Sequence, residues 1–90
     1  METAGEFHAM KDEKIPIAEI YVPAKRQATL NPETVEHLAA AILEEGQKAP
    51  IQVRHDGKRF VLVEGLHRLE ACRALGEETI VGIRVQAKKF

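Results

Sequence analysis

Residues 59–71 constrain the fold more than any other stretch. The run Arg59-Phe60-Val61-Leu62-Val63 is rich in β-formers, Gly65 interrupts it, and a helical pattern opens at once with Leu66. The chain must turn from strand to helix across Glu64 and Gly65 with almost no loop. The first amides of a helix lack intrahelical acceptors, and the dipole there amounts to roughly half a positive charge. Strand, glycine and helix start in this order make a corner where main-chain amides can hold an anion. His67 and Arg68 fall in the first turn. A cation at that end of a helix is unfavourable by about 0.3–1 kcal/mol unless an anion sits beside it. The competing arrangement is a solvated turn in which Arg68 pairs with Glu64 or Glu70. The corner is read as a phosphate site, with Glu64 a candidate general base or metal ligand at its edge.

The other elements follow from turn chemistry and period. Asp56-Gly57 separates Pro50–His55 from Lys58–Val63, a strong hairpin signal, and places Ile51, Val53, Phe60 and Leu62 toward one core. Asn31-Pro32 predicts a helix start, with Asn as N-cap and Pro in the first helical position. Val35, Leu38, Ala39 and Ile42 then form one apolar face, and Gly46 ends the helix. The second helix is expected over about Leu66 to Leu75, with Leu66, Leu69, Cys72 and Leu75 inward. Ile15 to Val22 reads as a short edge strand, because Pro16 is excluded from a central ladder. Ala24 to Leu30 reads as irregular and carries Lys25 and Arg26. Thr79 to Val85 is a last strand. The order β, α, β, β, α, β predicts an α+β domain with a small mixed β-sheet and two main helices.

At 90 residues the chain makes one small domain, burying only somewhat more than ~60% of its unfolded surface. A net charge of −1 removes the simplest argument for direct steering onto DNA. Cys72 is the single cysteine, which excludes an internal disulfide and a multi-cysteine zinc site. It reads as a small hydrophobe, and His37 and His55 have no ligand partners at metal-site spacing. No metal site is therefore expected. A lone cysteine, no apolar run long enough for a membrane span and no signal-peptide pattern suit the cytoplasm. Residues 1–9 look like a disordered leader, with a vector origin and a native start at Met10 as one reading; residues 10–90 are then the domain. Lys88-Lys89 is too short for a nucleic-acid tract.

Two segments carry a family resemblance. Leu38 to Val53, a helix, then Gly46-Gln47-Lys48-Ala49, then Pro50-Ile51-Gln52-Val53, is similar to the ParB-type pattern. Val63-Glu64-Gly65-Leu66-His67-Arg68-Leu69-Glu70-Ala71, with Leu75-Gly76, resembles that family's glycine-polar-Arg helix start. In this order the two segments resemble the ParB/sulfiredoxin superfamily and its ParB-like N-terminal (ParB-like nuclease) domain, over roughly Ile15 to Val85. The resemblance implies a phosphate site at Gly65, Leu66 (through its amide), His67 and Arg68, with Arg26 and Pro50 on the loops around it. It implies CTP or ATP with Mg2+ as ligand, and a role in DNA partition, plasmid maintenance or transcriptional regulation. DNA contact would come through a dimer or a partner domain.

Departures narrow what is inherited. Sulfiredoxins place a reactive cysteine immediately before the His-Arg pair, where this chain has Leu66, so sulfiredoxin chemistry is not expected. ParB proteins read Gly-Glu-Arg-Arg-x-Arg, and here Glu70 stands in place of the last cation. The free-serine kinases share an acidic-Gly-x-His-Arg stretch, met by Glu64 to Arg68. A small phosphotransferase or nuclease with Glu64 as its base is the alternative function, and a protein-interaction module that has lost its ligand is a third.

Overall fold

The computed structural model describes residues 11–85; residues 1–9, expected to be a leader, and Lys88-Lys89 lie outside them. Five strands, β1 (Glu13–Pro16), β2 (Ile20–Tyr21), β3 (Ile51–His55), β4 (Phe60–Glu64) and β5 (Thr79–Arg84), form one mixed sheet in the order β1-β5-β3-β4-β2. The helices are α1 (Ala24–Gln27), α2 (Pro32–Glu45) and α3 (Leu66–Ala74). β3 runs antiparallel to β4 and parallel to β5, β1 is antiparallel to β5, and β2 is parallel to β4. The α+β architecture expected from the element order is present.

The first strand differs from expectation in an instructive way. Ile15 to Val22 is not one edge strand but two, split by a 3-10 turn at Ile17–Glu19, and the halves lie on opposite edges of the sheet. Ile15, Ile17, Ile20 and Val22 are all buried. Their two-residue period slips by one between Ile17 and Ile20, and the turn supplies that residue. The Ile17 amide donates to the Glu78 carbonyl at 2.9 Å, which pins the break. Four residue steps from Pro16 to Ile20 reach at most about 14 Å, whereas four inter-strand spacings across a flat sheet are about 19 Å. The sheet must therefore curl, bringing β1 and β2 toward each other.

The Asp-Gly hairpin forms, with a longer loop than the two residues expected. β4 begins at Phe60, two residues after Lys58, so Asp56 to Arg59 make the connection. The Asp56 carboxylate accepts from the Lys58 and Arg59 amides, both at 3.1 Å, and Gly57 takes φ +97°. These two hydrogen bonds hold the Asp56 carboxyl below the ordinary value of 3.8. Gln52 then pairs with Glu64 while Val53 pairs with Leu62, leaving Val63 as an extra residue just before the corner. A bulge of this kind bends and twists its strand.

The core lies between the sheet and α3, with Ile15, Ile51, Val53, Leu62, Leu69 and Ile80 fully buried. Leu66, Leu69, Ala71 and Cys72 are the buried residues of α3. By contrast, α2 has no buried residue: Val35, Leu38, Ala39 and Ile42 are half-buried, chiefly against α3, and Leu43 is 75% exposed. Its start is as predicted, because the Asn31 side chain accepts from the Glu33 and Thr34 amides at 2.9 and 3.3 Å. Ala24 to Leu30, expected to be irregular, contains the single turn α1. The Val22 carbonyl accepts from the Gln27 side-chain amide at 3.2 Å and steadies it.

Between α2 and β3, Gln47 behaves like a strand residue. Its side-chain amide donates to the Val81 and Ala49 carbonyls at 2.9 and 2.8 Å, and its carbonyl accepts from the Val81 amide at 2.9 Å. One side chain thus continues the β3 ladder along β5 past the point where β3 begins.

Candidate functional site

Glycine is required at the corner for two independent reasons. Gly65 takes φ +108°, a left-handed conformation that other residues adopt at a cost of about 1–2 kcal/mol. A Cβ there would also stand 2.6 Å from Cγ2 of the fully buried Ile51. Close packing on β3 therefore fixes where α3 starts. The helix begins with no side-chain cap, and its first main-chain bond runs from the Leu69 amide to the Gly65 carbonyl. The amides of Leu66, His67 and Arg68 have no hydrogen-bond partner among the described residues. The contrast with α2, whose start Asn31 closes, is direct: one helix start is satisfied by its own chain and the other is open.

A cleft of about 430 Å³ faces this open start. Glu64 to Arg68 form one wall, Arg26 and Thr29 come from α1 and its exit, and Thr34 and Leu38 come from α2. The structure brings together Arg26, Glu64, Gly65, Leu66, His67 and Arg68 as the sequence suggested. Pro50 does not line the cleft; it precedes Ile51, on which Gly65 packs. Thr29 and Thr34 went unmarked in the sequence, because nothing in an Asn-Pro helix start tells which neighbouring hydroxyls face another element.

Charge in the cleft is unevenly matched. Arg26 and Glu64 approach to 3.9 Å across the mouth, a largely exposed pair that contributes little to stability. Glu70 pairs with Arg73 at 3.2 Å. Neither carboxylate is therefore on Arg68, which is half-buried and has no ion-pair partner among the described residues. Its side chain also borders a smaller recess of about 150 Å³ between α2 and the α2–β3 connection, beside Leu38, Ile42 and Lys48. His67 is engaged differently: its Nε2 accepts from the Asn31 main-chain amide at 2.9 Å. That bond joins the starts of α2 and α3.

Cys72 is buried in α3, and burial pushes its thiol up, reinforced by Glu77 and opposed by Arg68. A buried thiol of this kind is a poor nucleophile. Among the described residues no three metal-ligating side chains converge, and no helix is long and apolar enough to cross a membrane.

A curled mixed sheet with an uncapped helix start at a glycine corner is the ParB/sulfiredoxin-like fold. The ParB N-terminal domain family matches residues 1–89, and the chain belongs to that family. Sulfiredoxin from Arabidopsis thaliana superposes with a TM-score of 0.77 at 26% identity, over 86% of both chains. The C-terminally truncated chromosome-partitioning protein ParB from Caulobacter crescentus, complexed with CTP-gamma-S, gives 0.76 at 24% identity, over 88% of this chain and 46% of that one. The present chain thus spans about half the length of that ParB, which is also known complexed to its centromeric parS site. A free serine kinase variant in complex with AMP gives 0.72 at 14% identity, over 84% of this chain and 31% of that one. The comparison with curated protein sequences found no match.

Proposed function

We propose that this domain binds the phosphates of a nucleoside triphosphate, CTP or ATP, at the Gly65 corner, and acts in the cytoplasm in DNA partition, plasmid maintenance or transcriptional regulation. The observation that carries the reading is the open start of α3, where three amides and the adjacent Arg68 have no partner among the described residues. Phosphate oxygens would accept from the Leu66, His67 and Arg68 amides, and the Arg68 guanidinium would add a charge-assisted fork. Arg26 stands across the cleft to take a further phosphate by releasing Glu64. The ParB and kinase structures that share the fold hold nucleotides, which supports this choice of ligand.

Magnesium ordinarily enters such sites on the phosphates themselves, with only one or two protein carboxylates. Glu64 is the carboxylate at the cleft and would fit that role. With a net charge of −1, the domain supplies little electrostatic attraction of its own for DNA. DNA would be reached through a dimer or a partner domain.

The test is an amide NMR titration with CTP, ATP and ADP, each with magnesium. Shifts centred on Gly65 to Leu69 and lost in Arg68→Ala are expected. An unchanged spectrum at millimolar nucleotide would rule the reading out. The same samples report turnover; hydrolysis or transfer abolished by Glu64→Gln with the fold intact would make the domain an enzyme with Glu64 as its base.

A further inference from the structure

The phosphate reading leaves the bond between His67 and Asn31 unexplained. In the structure the imidazole is an acceptor: its Nε2 takes the Asn31 amide proton at 2.9 Å, so that nitrogen carries a lone pair and the ring is neutral. That nitrogen cannot donate to an anion while it accepts, and the ring's one proton sits on Nδ1. The bond is also unusual in its reach. Among the described residues it is the one hydrogen bond joining Asn31 to Glu45 to the sheet or to α3. α2 itself has no buried residue to anchor it.

We propose that His67 is a positioning residue that latches α2 to the cleft and releases it on gaining a proton or an anion. Neutral His67 accepts from Asn31 and holds the start of α2 against α3. When Nε2 takes a proton from solvent, the imidazolium has no lone pair on either nitrogen, so the Asn31 bond cannot persist. The ring then donates to an anion held at the α3 start, and the Asn31 amide turns to water. Proton and anion act in the same direction, because each favours a proton on Nε2. The charged groups sharing the cleft with the ring are Arg26 from α1, Glu64 from β4 and Arg68 from α3; α2 contributes only Thr34 and Leu38. An anion arriving among these groups favours the imidazolium, as an opposite charge beside any cation does. Occupancy of the cleft is thereby coupled to the seating of a peripheral helix. The anion half rests on the phosphate reading above, and the proton half does not.

The experiment uses the full chain, 15N-labelled, followed by NMR from about pH 8 to about pH 5, the interval in which imidazole normally titrates. It is run without and with sulfate, a probe whose charge is constant there. In the wild type the Asn31 amide should leave its hydrogen-bonded position with the same midpoint as the His67 ring. Sulfate at fixed pH should move it the same way. Sulfate should bind about two- to tenfold more tightly at the acid end, the equilibrium factor of one such hydrogen bond. His67→Gln keeps a neutral acceptor, so its Asn31 amide should stay in place and its sulfate affinity should lose the pH dependence. His67→Ala should show the released Asn31 position at every pH. An Asn31 amide that stays still while the wild-type ring titrates, or that moves equally in His67→Gln, overturns the latch. Sulfate binding that leaves Asn31 still at fixed pH overturns the coupling to anions and keeps the phosphate reading. An Asn31 amide that follows the ring without any sulfate binding upholds the proton-driven latch and overturns the coupling to anions, while the nucleotide titration above decides the phosphate reading.

Discussion

Gly65 and Gly57 separate two reasons for a glycine. Both have positive φ, but a Cβ at Gly57 would meet nothing within 4 Å, whereas one at Gly65 meets Ile51 at 2.6 Å. Gly57→Ala should destabilise by about 1–2 kcal/mol from backbone strain alone. Gly65→Ala should lose about 2–5 kcal/mol, strain plus overpacking against a core residue, as measured by urea unfolding. Equal losses would show that Ile51 yields freely. Asp56 gives a pH test. Its folded-state carboxyl sits below the ordinary value of 3.8, so its contribution is complete above that value and disappears as pH falls through the lower folded value. Asp56→Ala should therefore lower the melting temperature by more at neutral pH than in acid, where the wild-type carboxyl is protonated. Asp56→Asn, which keeps an accepting oxygen as the protonated acid does, should show a smaller loss at neutral pH that closes in acid. At this scale the sequence was informative about residue type and less so about partners. Gly65, His67 and Arg68 could be singled out because a strand-to-helix change is visible in periodicity. That His67 would serve as an acceptor for Asn31, thirty-six positions away, depends on how two helix starts meet, which no local pattern encodes.

The elements differ in what holds them. α3 is part of the core, whereas α2 is held at the periphery by half-buried side chains, one cross-helix bond and the connection through Gln47. Gln47→Ala should destabilise by about 1–3 kcal/mol, since both polar groups of Val81 lose their partner. It should also speed hydrogen exchange in α2 more than in β3, β4 or α3. Uniform acceleration would mean that Gln47 supports the fold as a whole instead of this connection. Both main helices were legible because capping residues mark them: Asn31-Pro32 and Gly46 for α2, Gly65 and Gly76 for α3. The split of Ile15–Val22 was only half legible. The slip in its apolar period is present in the sequence, but pairing with β5 on one side and β4 on the other is a tertiary outcome, fixed partly by the Ile17–Glu78 bond.

For the whole molecule, a ligand that binds only the folded state adds its binding energy to a modest stability. Nucleotide at a hundred times its Kd should raise the unfolding free energy by about 2.7 kcal/mol, seen as a higher urea midpoint at unchanged slope. Arg68→Ala should lose most of that gain at the same nucleotide concentration, and an equal gain in the variant would place the ligand elsewhere.

The split first strand carries a consequence for how the domain can assemble. Sheet edges are where proteins most readily recruit a foreign strand, and both edges here are built from one short ribbon, residues 13–21. A newcomer would find four residues to pair with on one side, ending in a proline that has no amide to give, and two on the other. Among the described residues, growth by strand addition, whether into dimers or into fibrils, therefore finds little edge to build on. Contacts made instead by helices and side chains can be loosened again, which is what an association that follows the state of the cleft would need.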